Sequence, residues 1–178
     1  FIEDTLLYHL LEMKNEKNFL MTLKRLLSTF SIVLFYSLTV VELRADIINP
    51  SILIKPKEVI KIQLNGLMKN DIYFKDSGIE QTWNFAHPEN KKNTGPLPNF
   101  KMMIKGRSYQ MLLNHLSHTI TEVGSSDNWA QFEVIILDSE KIYHKFNWQV
   151  EKYTKEGPLK DCWLTTMVSS PIPLGSSI

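Results

Sequence analysis

Lys141-Ile142-Tyr143-His144-Lys145-Phe146-Asn147-Trp148-Gln149-Val150-Glu151-Lys152-Tyr153 alternates apolar and polar residues almost without a break. Ile142, His144, Phe146, Trp148 and Val150 share one face, and Lys141, Tyr143, Lys145, Asn147, Gln149 and Glu151 share the other. A period of two is the signature of a strand with one buried and one wetted face. Upstream, 129–137 repeats the pattern, with Ala130, Phe132, Val134 and Ile136 on the apolar side. Placing Phe132 opposite Phe146 sets Glu133 against Lys145 and Gln131 against Asn147, so both faces make sense together. Stretches 116–123 and 161–169 supply two further strands. The connections GSSDN, DSE and TKEGPLK are short, which predicts an antiparallel meander of four strands.

Before the strands the period changes. Pro56 opens a helical pattern through about residue 74, with Ile60, Leu64, Leu67, Met68 and Ile72 as its apolar stripe. Short helices are expected over 79–86, 100–105 and 109–113. Residues 88–99, PENKKNTGPLPN, read as a turn-rich loop over a site mouth. Helices first and an antiparallel sheet second predict an α+β domain, with the long helix covering the apolar face of a curved sheet.

The N-terminal part reads differently. Residues 26–41, LLSTFSIVLFYSLTVV, carry no charge and follow Lys14, Lys17, Lys24 and Arg25. That is the layout of a secretory signal, with cleavage near Ala45. The division is then an N-terminal extension over 1–12, a signal peptide or membrane anchor over 13–45, and a single α+β domain over 46–178. Export to a periplasm, a thylakoid lumen or the exterior follows from cleavage. Anchoring by 26–41 is the alternative, and the run is short of the roughly 20 residues a spanning helix needs.

The 178 residues hold 20 basic and 19 acidic groups, a net charge of +1 with neutral histidines. That balance, with no basic stripe bearing aromatics, gives no reason to expect a nucleic-acid partner. One cysteine, Cys162, excludes an internal disulfide. Phosphate-loop, dinucleotide, serine-hydrolase and zinc-protease motifs are missing, and no cofactor is expected.

The segment Gly78-Ile79-Glu80-Gln81-Thr82-Trp83-Asn84-Phe85-Ala86-His87-Pro88-Glu89-Asn90, then Thr94-Gly95-Pro96-Leu97 and Phe100, resembles the family catalogued as domain of unknown function 4864. Tyr109, Leu112, Leu113, His115 and the Cys162-Trp163 strand fit it too, so the resemblance covers about 56–170. It implies a cystatin-like roll, akin to nuclear transport factor 2 and the SnoaL-like cyclases and isomerases. It carries no catalytic residues with it.

Candidate chemistry centres on the inner face. With His118 opposite Val134, His118 and His144 flank Val134, two strand spacings apart. Imidazoles can act as acid or base near neutral pH. Core histidines satisfied by backbone are the alternative. His115-x-x-His118 lacks a completing cysteine or carboxylate, so no metal site is expected. Trp83, Phe85, Phe146, Trp148 and Trp163 are candidates to line a pocket, or else to fill the core. The functional expectation is a non-catalytic module binding a small apolar ligand or a protein partner. The alternative is an acid–base isomerase, cyclase or dehydratase, with His144 as base and His118 or Asp161 assisting. A homodimer through the outer sheet face, where Tyr143 and Ile135 lie, is a third reading.

Overall fold

The computed structural model describes residues 47–176, together with Leu20, Met21 and Lys24. The expected signal or anchor segment, and the extension before it, lie otherwise outside the described residues. No helix among the described residues is long and apolar enough to cross a membrane. Ala45–Ile178 forms a compact unit of its own.

Among residues 47–176 four helices come first: α1, Pro56–Met68; α2, Ser77–Asn84; α3, Pro88–Thr94; and α4, Leu97–Lys105. A single 3-10 turn, Gln110–Leu112, leads into the strands. These are β1, Ser117–Ser125; β2, Trp129–Leu137; β3, Ile142–Lys152; β4, Trp163–Val168; and β5, Ile172–Ser176. The helices-then-sheet order of an α+β domain is therefore present.

The roll is not. The sheet has five strands and is open, in the order β1-β2-β3-β4, with β5 also paired to β3. It neither curls nor closes, so the curved four-stranded, cystatin-like or nuclear transport factor 2-like architecture is corrected to an uncurled sheet with helices packed against it. The reason lies in how the chain returns along β3. β4 pairs with the Trp148–Lys152 half and β5 with the Ile142–Lys145 half. The break at Ser169, Ser170 and Pro171 lets one segment line the whole edge, and β1 stays at the opposite side, paired to β2.

Both hairpin registers sit two residues away from expectation. Phe132 faces Trp148, and Val134 faces Phe146. His118 faces Ile136. The β2–β3 turn decides this. Asp138 accepts the amides of Glu140 and Ile142 on Oδ1, and Lys141 takes a left-handed φ of 62°. Turn geometry fixes a hairpin's register. A shift of two keeps every residue on its expected face, and the inner side chains Ala130, Phe132, Val134, Ile136, Phe146, Trp148 and Val150 are all buried. Glu133 now opposes Asn147 and reaches Lys145 diagonally, at 3.4 Å.

The long helix ends earlier than its apolar stripe suggests. Met68 is its last residue, and Ile72 is exposed. Asn70 leaves the helix because it starts the next one. Its carbonyl accepts from Gly78 N–H and the Ser77 hydroxyl, and its side-chain oxygen accepts from Ile79 N–H. Gly78 permits the close crossing of α1 and α2, since a Cβ there would lie 2.0 Å from the Gly66 carbonyl oxygen. The expected loop over 88–99 is mostly helical. Pro88 sits at the first position of α3, and His87 Nδ1 accepts the Glu89 amide at 3.1 Å.

Candidate functional site

Two polar clusters and one groove hold the chemistry. The first cluster lies where β1 begins, β2 ends and β3 begins. His144 and Asp138 are both buried, and His144 Nε2 lies 2.7 Å from Asp138 Oδ2. Burial pushes the Asp138 carboxyl up, but the Ile142 amide, His144 and the Glu140 amide outweigh it and hold the group below its usual value. With the carboxylate ionised, His144 donates from Nε2. Nδ1 is then buried without a hydrogen-bond partner among the described residues. A base whose other nitrogen is oriented by a carboxylate is the geometry of general-base catalysis.

His115 and His118 stand beside it. His115 Nδ1 donates to the Leu112 carbonyl at 2.7 Å, so its Nε2 is an acceptor. His118 Nδ1, at 2.8 Å, must therefore carry the proton of that contact. Burial, helped by the neighbouring His118 and resisted by the Leu112 carbonyl, pulls His115 down to about 4. Burial lowers His118 as well. His118 and His144 flank Ile136 rather than Val134, because both registers moved by the same two residues. Among the described residues no group of three or more His, Cys, Asp or Glu is arranged to hold a metal.

Asp161, expected to assist, is elsewhere. It is exposed, with φ 61°, and its amide bonds the Tyr153 carbonyl. Tyr153 is nine residues from His144, roughly 30 Å along an extended strand.

The second cluster lies under the Trp148 end of β3. Trp148 Nε1 donates to Thr165 Oγ1 at 3.3 Å, and Thr165 Oγ1 donates to Gln63 Oε1 at 2.7 Å. Gln63 Nε2 donates to the Thr82 carbonyl at 3.0 Å. A cavity of about 90 Å³ adjoins this network, with Tyr109, Met103 and Val168 among its walls. Of the five aromatics expected to line a pocket, Trp148 borders this one. Phe85 and Phe146 are fully buried in the core. Trp83 packs on Phe100, ring centres 5.0 Å apart, beneath Lys91. Trp163 lies under the Lys152 ammonium.

A larger concavity is one the pattern of the sequence does not reveal. It is a groove of about 440 Å³ on the helical layer. Ile48, Ile62, Tyr73 and Phe74 give it apolar walls, and Lys61, Asn65 and Lys69 line it from α1 and its C-terminal end. Spacing of four residues sets those three in a row on one side of the helix. Gln81 holds the entering chain in place, accepting Ile48 N–H at 2.7 Å and donating to its carbonyl at 2.9 Å.

No protein-family model, no curated protein and no solved structure matches the chain. None of these comparisons identifies a family for the chain.

Proposed function

We propose that this domain is exported and acts as a non-catalytic binding module, and that its ligand is a small, mainly apolar molecule bearing one anionic group. The observation that carries the reading is the row Lys61, Asn65 and Lys69 beside the apolar walls of the 440 Å³ groove. That volume falls among typical small-molecule sites, whereas the 90 Å³ cavity is several times smaller. Glu58 also lines the groove and pairs with Lys61 at 3.4 Å, so the Lys69 ammonium orients the anion, and Ile48, Ile62, Tyr73 and Phe74 supply the burial. Anilinonaphthalene sulfonate is a suitable probe, being apolar with one anionic group. Titration calorimetry on the full chain should give one saturable site, and Lys69→Glu should weaken it about tenfold, or about 1.4 kcal/mol. Equal affinity in a folded Lys69→Glu protein would remove the groove as the site.

The buried Asp138–His144 pair supports a second reading, an acid–base enzyme with His144 Nδ1 as the base. Asp138 takes the assisting role expected of His118 or Asp161. A folded His144→Gln protein should lose turnover of an isomerase or dehydratase substrate by about 100-fold or more. Undiminished turnover would eliminate this mechanism.

A further inference from the structure

The two long edges of the sheet are built differently. The β4–β5 edge is broken into two short strands, with Pro171 and Pro173 around the break. Proline and interruption are common ways to keep a sheet edge from pairing with another chain. β1 has neither. It runs nine residues, Ser117–Ser125, with no proline and no lysine. Among the described residues it pairs with β2 alone. Thr119, Thr121, Glu122 and Val123 are exposed along it.

We propose that β1 is a dimerisation edge, pairing antiparallel with β1 of a second copy about a two-fold axis at Ile120. The sequence of the strand selects that partner and that register. With Ile120 opposite itself, His118 falls opposite the partner's Glu122, and Glu122 opposite the partner's His118. Thr119 and Thr121 meet in the same way. One symmetric register therefore gives two imidazolium–carboxylate pairs, two threonine pairs and one apolar contact at the axis. Moving the axis to Thr121 sets Ile120 against a carboxylate and His118 against Gly124. Moving it to Thr119 sets Glu122 against Leu116.

The side chains are prepared for the match. His118, Ile120 and Glu122 all point to the inner face, since their β2 partners Ile136, Val134 and Phe132 do. His118 Nδ1 donates to His115, so Nε2 donates to the partner's Glu122 only when the ring is doubly protonated, and the dimer should tighten as the pH falls below neutral. Glu122 receives the Ser125 hydroxyl on Oε1, which leaves Oε2. The other titratable groups near His118 are His115, in the preceding turn, and His144 with Asp138 across Ile136. In the single chain Glu122 is an inward-directed charge on an edge, a device that also discourages pairing. The reciprocal histidine turns it from a guard into a selector for the chain's own copy.

Sedimentation velocity on the full chain tests the proposal, with thermal melting to confirm that each variant folds. The expected result is a concentration-dependent dimer. Glu122→Lys should weaken it at least about tenfold, and adding His118→Glu should restore it by exchanging the charges. His118→Glu also removes the donor to His115, so a second variant covers a failure to fold. Ile120→Cys should cross-link to itself under mild oxidation, while Thr121→Cys should not. A chain that stays monomeric at every concentration overturns the proposal. So does a dimer indifferent to Glu122→Lys with no Ile120→Cys cross-link, or a monomer carrying a co-purified peptide on this edge.

Discussion

The inner face of β3 meets polar groups at both ends, and it handles them in opposite ways. At the Trp148 end the partners are neutral. An amide, a hydroxyl and an indole N–H are joined in one chain through Gln63, Thr165 and Trp148. At the His144 end a buried carboxylate, Asp138, contacts His144, and the imidazoles of His115 and His118 stand beside them. Both solutions satisfy buried polar groups, which is the first requirement of an interior. They differ in what the solvent can do to them. Neutral groups keep their hydrogen bonds at any moderate pH. Ionising groups tie the stability of their end of the sheet to proton concentration.

Trp148→Ala should have the larger effect. It removes a fully buried indole and the donor to Thr165, at a cost of about 4 kcal/mol. Urea unfolding should show that loss equally at pH 8 and pH 5. A loss that varied strongly with pH would break the contrast between the two ends.

Acid should act at the other end. Folded His115 takes its proton only near pH 4, whereas the unfolded residue takes it near 6.5. Between those values the unfolded chain binds more protons, so stability is full above about pH 6.5 and falls as the pH drops toward 4. The shift corresponds to about 3 kcal/mol. Asp138 adds to this at lower pH, since its depressed carboxyl stabilises the fold above the ordinary carboxylate range and loses that contribution as it protonates. Urea midpoints followed from pH 7.5 to pH 4 should fall along this course, and His115→Gln should flatten the portion above pH 4. An unchanged slope in that variant would place the acid sensitivity elsewhere.

The inner face of the sheet was legible because alternation is local. It also tolerates error, since a two-residue register shift leaves every side chain on its own face. For the same reason the relation between His118 and His144 survived while the residue between them changed from Val134 to Ile136. Asp138 was overlooked as part of a three-residue connection. Its even number continues the inward row Ala130, Phe132, Val134 and Ile136, and that parity is the signal that would have found it. The groove had no such signal. It joins the lead-in at Ile48 to the turn at Tyr73 and Phe74, and only the crossing of α1 and α2 brings them together. The expected curvature failed because neither the element order nor the resemblance fixes how a sheet bends, whereas the open sheet follows from where β4 and β5 divide the edge of β3.

Asn70 leaves one more mark on the molecule. A single residue both terminates α1 and supplies the first hydrogen bonds of α2. The two helices therefore have no independent ends at this corner. Fraying of one takes away the nucleus of the other, so the pair forms and melts as one cooperative segment. The walls of the groove come from that same corner, which makes its shape an all-or-none property of the helical layer.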